Sequence, residues 1–243
     1  MKILKSFKRS ILLSVVFALG LVALHSVAQA QPATPPWPAT PGCDASNTNC
    51  HFDIRNNNDH GNGSLRLALD EGCKKAGSHL IEFGRFADSQ TISLQTPLVI
   101  PSSCQGTFTI AGLQTKEVTL DGSAIARGQA VSSDTCMLYV GTGNHTIHHL
   151  TFLNAPFAVC LAKDNVKFSD NYVGIKRDGT VGANVTGLFI AGNSTQVNNN
   201  VFAGNSGDGI VIQGHQNKIE VNSIGVNSSN VDADKETAAR ESA

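Results

Sequence analysis

In the second half of the chain, apolar residues return in short runs with a fixed internal spacing. Each run reads apolar, two mostly polar residues, Asn or Leu, one further residue, then apolar. The copies are Ile147-His148-His149-Leu150-Thr151-Phe152, Phe168-Ser169-Asp170-Asn171-Tyr172-Val173, Val197-Asn198-Asn199-Asn200-Val201-Phe202 and Ile219-Glu220-Val221-Asn222-Ser223-Ile224. Successive copies start 21, 29 and 22 residues apart. A second strand keeps step with them, at Leu138/Val140, Val159/Leu161, Leu188/Ile190 and Ile210/Ile212. A period of roughly 20–30 residues built from short apolar strands marks a solenoid. No long amphipathic helix separates the strands, which argues against leucine-rich and helical repeats.

In such a coil each strand pairs in parallel with its counterpart one turn away, and alternate side chains point inward. The spacing therefore predicts one buried column of Ile147, Phe168, Val197 and Ile219. It predicts another of Phe152, Val173, Phe202 and Ile224. Asn171, Asn200 and Asn222 fall between the columns in register and read as an inward asparagine ladder. Asn tolerates the left-handed backbone of a sharp corner, and stacked amides can bond from coil to coil. Leu150 marks where the ladder stops. The longer interval is taken up by Ile175 to Gly187, expected as a loop projecting from one corner.

Upstream, Leu80–Phe83, Thr91–Leu94, Leu98–Ile100, Phe108–Ile110 and Val118–Leu120 read as strands separated by Gly, Pro, Ser or Asp. Before them, Ser64 is a candidate N-cap for a helix with Leu65, Leu69 and Cys73 on one face and Gly77 at its end. The open first coil of a solenoid exposes core and strand edges, and this helix is the expected cap.

These residues resemble a known family. Phe52-Asp53-Ile54 through Gly63-Ser64-Leu65-Arg66-Leu67-Ala68-Leu69, continuing to Thr91–Leu94 and Leu98, is similar to the start of secreted bacterial right-handed parallel β-helix repeat proteins. So are Val118-Thr119-Leu120-Asp121-Gly122, Asn171-Tyr172-Val173-Gly174, and Asn200 to Asn205 followed by Gly207-Asp208-Gly209-Ile210. The resemblance covers roughly residues 52–228. It implies an all-β, right-handed parallel β-helix of the pectate-lyase-like superfold, and it carries no catalytic residue across. Asn222-Ser223-Ile224-Gly225 restarts the pattern of Asn171–Gly174, and in the family that would lead into further coils. Here a polar tail follows, so the chain reads as a truncated relative, with edge-to-edge association expected at its C-terminal end.

The first residues change the picture of where this coil resides. Lys2, Lys5, Lys8 and Arg9 precede an apolar run from Ile11 to Leu24, and Ala28-Gln29-Ala30 is the small-x-small pattern of a signal-peptidase site. A secretory signal over residues 1–30, cut before Gln31, is expected. A membrane anchor would need about 20 apolar residues. Removing the signal leaves 14 Lys+Arg against 19 Asp+Glu, a net charge of −5. That balance, with few aromatics, argues against nucleic acid as a partner. Residues 31–50 form a Pro-rich linker and N-terminal segment, 51–228 the β-helix with a capping helix near 64–76, and 229–243 a polar tail.

All six cysteines lie beyond the signal, in an expected oxidising compartment, and no Cys-x-x-Cys pair suggests zinc. The expected bridges are Cys43–Cys50, Cys73–Cys104 (cap to coil) and Cys136–Cys160. The last pair is 24 residues apart against a register of 21, so it requires Cys136 to sit in a bend.

Chemistry on the superfold needs charged residues from neighbouring coils to face the same way. The enzymes it implies act on acidic polysaccharide by calcium-assisted β-elimination or by paired-carboxylate hydrolysis. His148, Ser169, Asn198 and Glu220 share one outward lane; His149, Asp170, Asn199 and Val221 share the next. His149 with Asp170 is the best charged pair and the weak catalytic candidate, since a carboxylate can orient an imidazole for acid–base work. The bland alternative is a surface His beside a surface Asp. Asp208 reads as a turn residue. Lys176, Arg177 and Asp178 read as a solvated loop tip, or alternatively as a contact for an anionic sugar. His145-x-x-His148-His149 is a poor metal site, because neighbours on a strand point apart unless a corner intervenes. No metal is expected, and calcium only if the protein is a lyase. The Asn-x-Ser/Thr sequons at Asn62, Asn144, Asn184, Asn193 and Asn227 follow from composition. Three functions are consistent with these residues. The first is a non-catalytic secreted or surface protein binding glycans or a partner along its outer face. The second is a polysaccharide lyase or hydrolase, and the third a stalk or fragment of a larger adhesin.

Overall fold

The computed structural model describes residues 42–43, 46, 48–128, 130–225 and 240–241. The expected signal, the Pro-rich segment from Pro32 to Pro41 and most of the tail lie outside the described residues. The fold is an all-β parallel β-helix. Strands β1 (Gly42–Cys43) and β2 (Cys50–Asp53) and helix α1 (Leu65–Cys73) lead into six coils of three strands. The first coil is β3 (Gly77–Glu82), β4 (Gln90–Ser93) and β5 (Leu98–Ile100), and the second β6 (Gly106–Ala111), β7 (Val118–Asp121) and β8 (Cys136–Val140). The third is β9 (Thr146–His148), β10 (Thr151–Leu153) and β11 (Phe157–Leu161), and the fourth β12 (Lys167–Ser169), β13 (Tyr172–Val173) and β14 (Thr186–Ile190). The fifth is β15 (Gln196–Asn198), β16 (Val201–Phe202) and β17 (Ile210–Ile212), and the sixth β18 (Lys218–Glu220), β19 (Ser223–Ile224) and β20 (Arg240–Glu241).

The three strands of each coil stack into three sheets, called A, B and C in chain order, and every pairing is parallel except β1 with β2. The register joins Ile110, Ile147, Phe168, Val197 and Ile219 in sheet A. In sheet B it joins Ile92, Leu120, Phe152, Val173, Phe202 and Ile224. These side chains are essentially inaccessible except Ile219 and Ile224, which are only partly buried in the last coil. Each fully buried aliphatic or aromatic side chain contributes roughly 1.5–3 kcal/mol, so the stacked columns are the main source of stability. Phe168 stands between Phe152 and Phe202, with ring centroids at 5.8 and 6.3 Å.

Several expectations are corrected in detail. Ser64 caps α1 by accepting from the Leu67 N–H at 3.3 Å, but the helix ends at Cys73 rather than near residue 76. Lys74 and Lys75 N–H groups bond three residues back, to Glu71 and Gly72, tightening the last turn. Gly77 then opens β3 instead of closing the helix. Arg240 and Glu241 are not simply polar tail: they add β20 beside β17 in sheet C.

At the corner from sheet A to sheet B the left-handed residues are His149, Asp170, Asn199 and Val221, with φ of 55–58°. Asp170, Asn199 and Val221 each come one position before a ladder asparagine, so Asn171, Asn200 and Asn222 are used for their amides and not for backbone tolerance. The disulfides pair Cys43 with Cys50, Cys73 with Cys104 and Cys136 with Cys160. Cys136 lies in register with Phe157, three residues from Cys160, yet its Cα is 6.0 Å from that of Cys160. The strand bends there: Cys136, Met137 and Leu138 are all buried, breaking the alternation of a flat strand. Among the described residues no helix is long and apolar enough to cross a membrane.

Candidate functional site

Three corners turn the chain between sheets, and each uses an inward polar side chain to satisfy a backbone N–H that no strand can reach. At the corner from A to B, Asn171 Oδ1 accepts from the Leu150 N–H at 3.0 Å. Asn200 Oδ1 accepts from the Asn171 N–H and Asn222 Oδ1 from the Asn200 N–H, both at 2.9 Å. Asn171 Nδ2 donates to Asn200 Oδ1 at 3.1 Å, and Asn200 Nδ2 to Asn222 Oδ1 at 2.9 Å. Leu150 has no amide to continue the series.

Sequence reasoning missed two further corners built on the same plan. From B to C, Asn184 Oδ1 accepts from the Ala155 N–H at 3.0 Å and its Nδ2 donates to Asn205 Oδ1 at 3.0 Å. From C to A the device is an imidazole. His79 Nδ1 accepts from the Cys50 N–H at 3.2 Å and His145 Nδ1 from the Phe108 N–H at 3.0 Å. Burial lowers the His145 pKa to about 4, which keeps the accepting nitrogen unprotonated at neutral pH. Its Nε2 then donates to Thr142 Oγ1 at 2.8 Å. His145 is therefore a core residue, on a different corner from His148 and His149.

The weak catalytic candidates lie outside the A-to-B ladder. Because His149, Asp170 and Asn199 each hold the left-handed corner of their own coil, their side chains leave the core side by side. With Gln114, Tyr172, Arg177 and Val201 they line an open recess of about 280 Å³. The expected partnership does not form: no ion pair joins His149 and Asp170. Asp170 Oδ1 instead accepts from Asn199 Nδ2 of the next coil, while His149 Nδ1 lies 2.7 Å from His148 Nδ1.

A corner does intervene between these two histidines, so they meet rather than point apart. One nitrogen donates and the other accepts, which a second proton would break. The His148 pKa is lowered by partial burial first and by the neighbouring His149 second, with Asp170 opposing. Among the described residues no group of three or more His, Cys, Asp or Glu is arranged to hold a metal.

The segment after β13 is folded down over sheet B rather than projecting into solvent. Ile175 is buried and forms a bridge with Val181, and the Lys176 N–H bonds to the Thr180 carbonyl at 2.8 Å. Arg177 is not a solvated tip. Its Nη1 and Nη2 donate to the Gln114 and Leu113 carbonyls at 2.5 and 2.9 Å, and its guanidinium lies 5.5 Å from the Tyr172 ring centroid. Thr151 Oγ1 and the Arg177 N–H both bond Glu117 Oε1, at 2.7 and 3.3 Å, beneath it. Gly112 permits the close approach of the neighbouring corner backbone: a Cβ there would sit 1.9 Å from the His149 carbonyl oxygen. Asp178 is held below the usual carboxylate range by the Thr180 N–H, and Asp208 offers its carbonyl to the Gly187 N–H at a corner.

The recess thus presents a carboxylate, two amides, one imidazole and a phenol on a rigid scaffold. The chain matches no protein-family model and no curated protein sequence.

Proposed function

We propose that this is an exported β-helix protein of the pectate-lyase-like superfold that binds glycan in the corner recess on its outer face, without cleaving it. One observation carries the reading. Three successive coils deliver His149, Asp170 and Asn199 to one open recess beside Tyr172, with Asp170 held by an amide rather than aimed at the imidazole. A fixed array of donors and acceptors beside an aromatic ring suits sugar hydroxyls. Elimination or hydrolysis asks for a free base or a second carboxylate, whereas the Arg177 guanidinium is engaged by two carbonyls. The basic, apolar and small-x-small sequence of residues 1–30 supports export, and three disulfides fit an oxidising compartment.

The test is a glycan array followed by calorimetry with the intact chain and an Asp170→Ala/Asn199→Ala variant. Binding that falls at least about tenfold in the variant, the loss of roughly two hydrogen bonds, supports the reading. The absence of any glycan ligand would sink it. Ultraviolet-absorbing unsaturated product from a uronate polymer, with or without calcium, would replace it with a lyase.

A further inference from the structure

The outer face of sheet C carries an uncharged, largely apolar lane. In register along it, one outward residue per coil, stand Val99, Tyr139, Cys160, Phe189 and Val211. Five consecutive coils therefore present an uncharged lane, where the outward lanes of sheet A carry Lys167, Lys218 and Glu220. Midway along, Tyr139 and Phe189 flank the smaller Cys160, and a groove of about 390 Å³ opens between them. Ala162 and Ala191 keep its side low, Gln213 is its polar lining residue, and no charged residue lines it.

The geometry of the rings is set by the fold. The Cys136–Cys160 bridge pins the floor, with Cys160 buried. A Cβ at Gly141 would come within 3.2 Å of Tyr139 Cε1, so that ring lies along the sheet over the glycine rather than standing off it. Tyr139 and Phe189 are both partly exposed and are separated by two coils, about 9.6 Å at the spacing of adjacent strands. In an extended β-1,4-linked polymer every second sugar turns the same face to one side, at a repeat close to two coils. Aromatic rings stack on such apolar sugar faces, and a polar residue at the rim supplies orientation. The lack of charge selects against uronates and other polyanions.

We propose that this groove is a binding site for an uncharged, extended β-1,4-linked polysaccharide that runs along the coil axis with alternate sugars on Tyr139 and Phe189. It lies on a different sheet from the corner recess and stands whether or not that recess binds sugar.

The full oxidised chain is tested by co-sedimentation with insoluble β-1,4-glucan and with chitin, and with thiol titration to verify that each variant keeps its disulfides. The wild type is expected to be retained on at least one polymer and to stay bound when salt is added. Tyr139→Ala and Phe189→Ala should each weaken retention about three- to tenfold, and the double variant should abolish it. Phe189→Tyr should preserve retention. Ala191→Arg, at an exposed position, should obstruct the groove without removing a ring. Failure of the wild type to bind either neutral polymer would overturn the proposal, as would undiminished retention by the double alanine variant.

Discussion

Two corners of the coil perform one task with different chemistry. Between sheets A and B, Asn171, Asn200 and Asn222 pass hydrogen bonds from turn to turn: each amide accepts from the coil before, Asn171 and Asn200 donate to the next, and Asn222 donates back to the Val197 carbonyl. Between sheets C and A the equivalent positions are His79, Phe108, His145, Val166, Thr195 and Asn217. There the polar series is interrupted: His145 and Asn217 accept backbone N–H groups, Val166 cannot, and Thr195 Oγ1 is buried with no partner. A continuous amide ladder is uncharged at every pH and satisfied at every rung. The mixed corner fills its space with rings, Phe108 lying 5.5 and 5.7 Å from His79 and His145, and leaves both a titratable group and an orphan hydroxyl in the core. The difference teaches that a β-helix corner needs an acceptor and volume, and that more than one residue type supplies them.

The largest effect is expected from breaking the better corner. Asn200→Ala removes the acceptor for the Asn171 N–H and the donor to the Phe168 carbonyl, both buried. It should cost about 3–4 kcal/mol in denaturant unfolding, against a much smaller loss for Val166→Ala plus its repacking.

The next largest comes from pH. His145 titrates near 4 when folded and near 6.5 when unfolded. Above about pH 7 the group is neutral in both states and stability does not depend on it. As pH falls from 6.5 toward 4 the unfolded chain takes up a proton that the folded chain cannot hold, so stability falls. The loss should reach about 3 kcal/mol near pH 4 and then level off. Urea melts between pH 7 and 4 check this, and His145→Asn should flatten the profile if an amide can do the imidazole's work.

Two smaller changes should raise stability. Thr195→Val replaces the unpartnered hydroxyl by a methyl of the same shape and should gain about 1.5 kcal/mol. Val221 is a β-branched residue at φ 55° with 82% of its surface exposed, at a corner where the preceding coil uses Asn199. Val221→Asn should gain about 1 kcal/mol in the same assay.

The coil and its register were legible because apolar pairs recur at a spacing that only inward stacking explains. Asn171, Asn200 and Asn222 stood out because they sit inside that frame. Asn184 and Asn205 did not, since they belong to a corner reached through the long segment after β13, where the count of residues per coil changes. His79 and His145 escaped because an imidazole does not look like the asparagine it stands in for. The pairing of His149 with Asp170 was readable as adjacency, but not which neighbour each would choose. The left-handed backbone at both residues turns one toward His148 and the other toward Asn199. Arg177 meets carbonyls 63 and 64 residues away, a contact no local pattern encodes.

By itself the sequence determined the strands, the columns, the spacing of the first ladder and the capping helix from Ser64, because all four follow from periodicity and local hydrogen bonding. Only the tertiary structure decided what the outside of the coil presents: the recess at the corner and the uncharged lane of Tyr139 and Phe189. Inward residues must match their own kind one turn away, so their identity shows in the repeat. Outward residues answer only to neighbours brought in by the winding, and those neighbours are 21 to 40 residues distant in the chain along the sheet C lane.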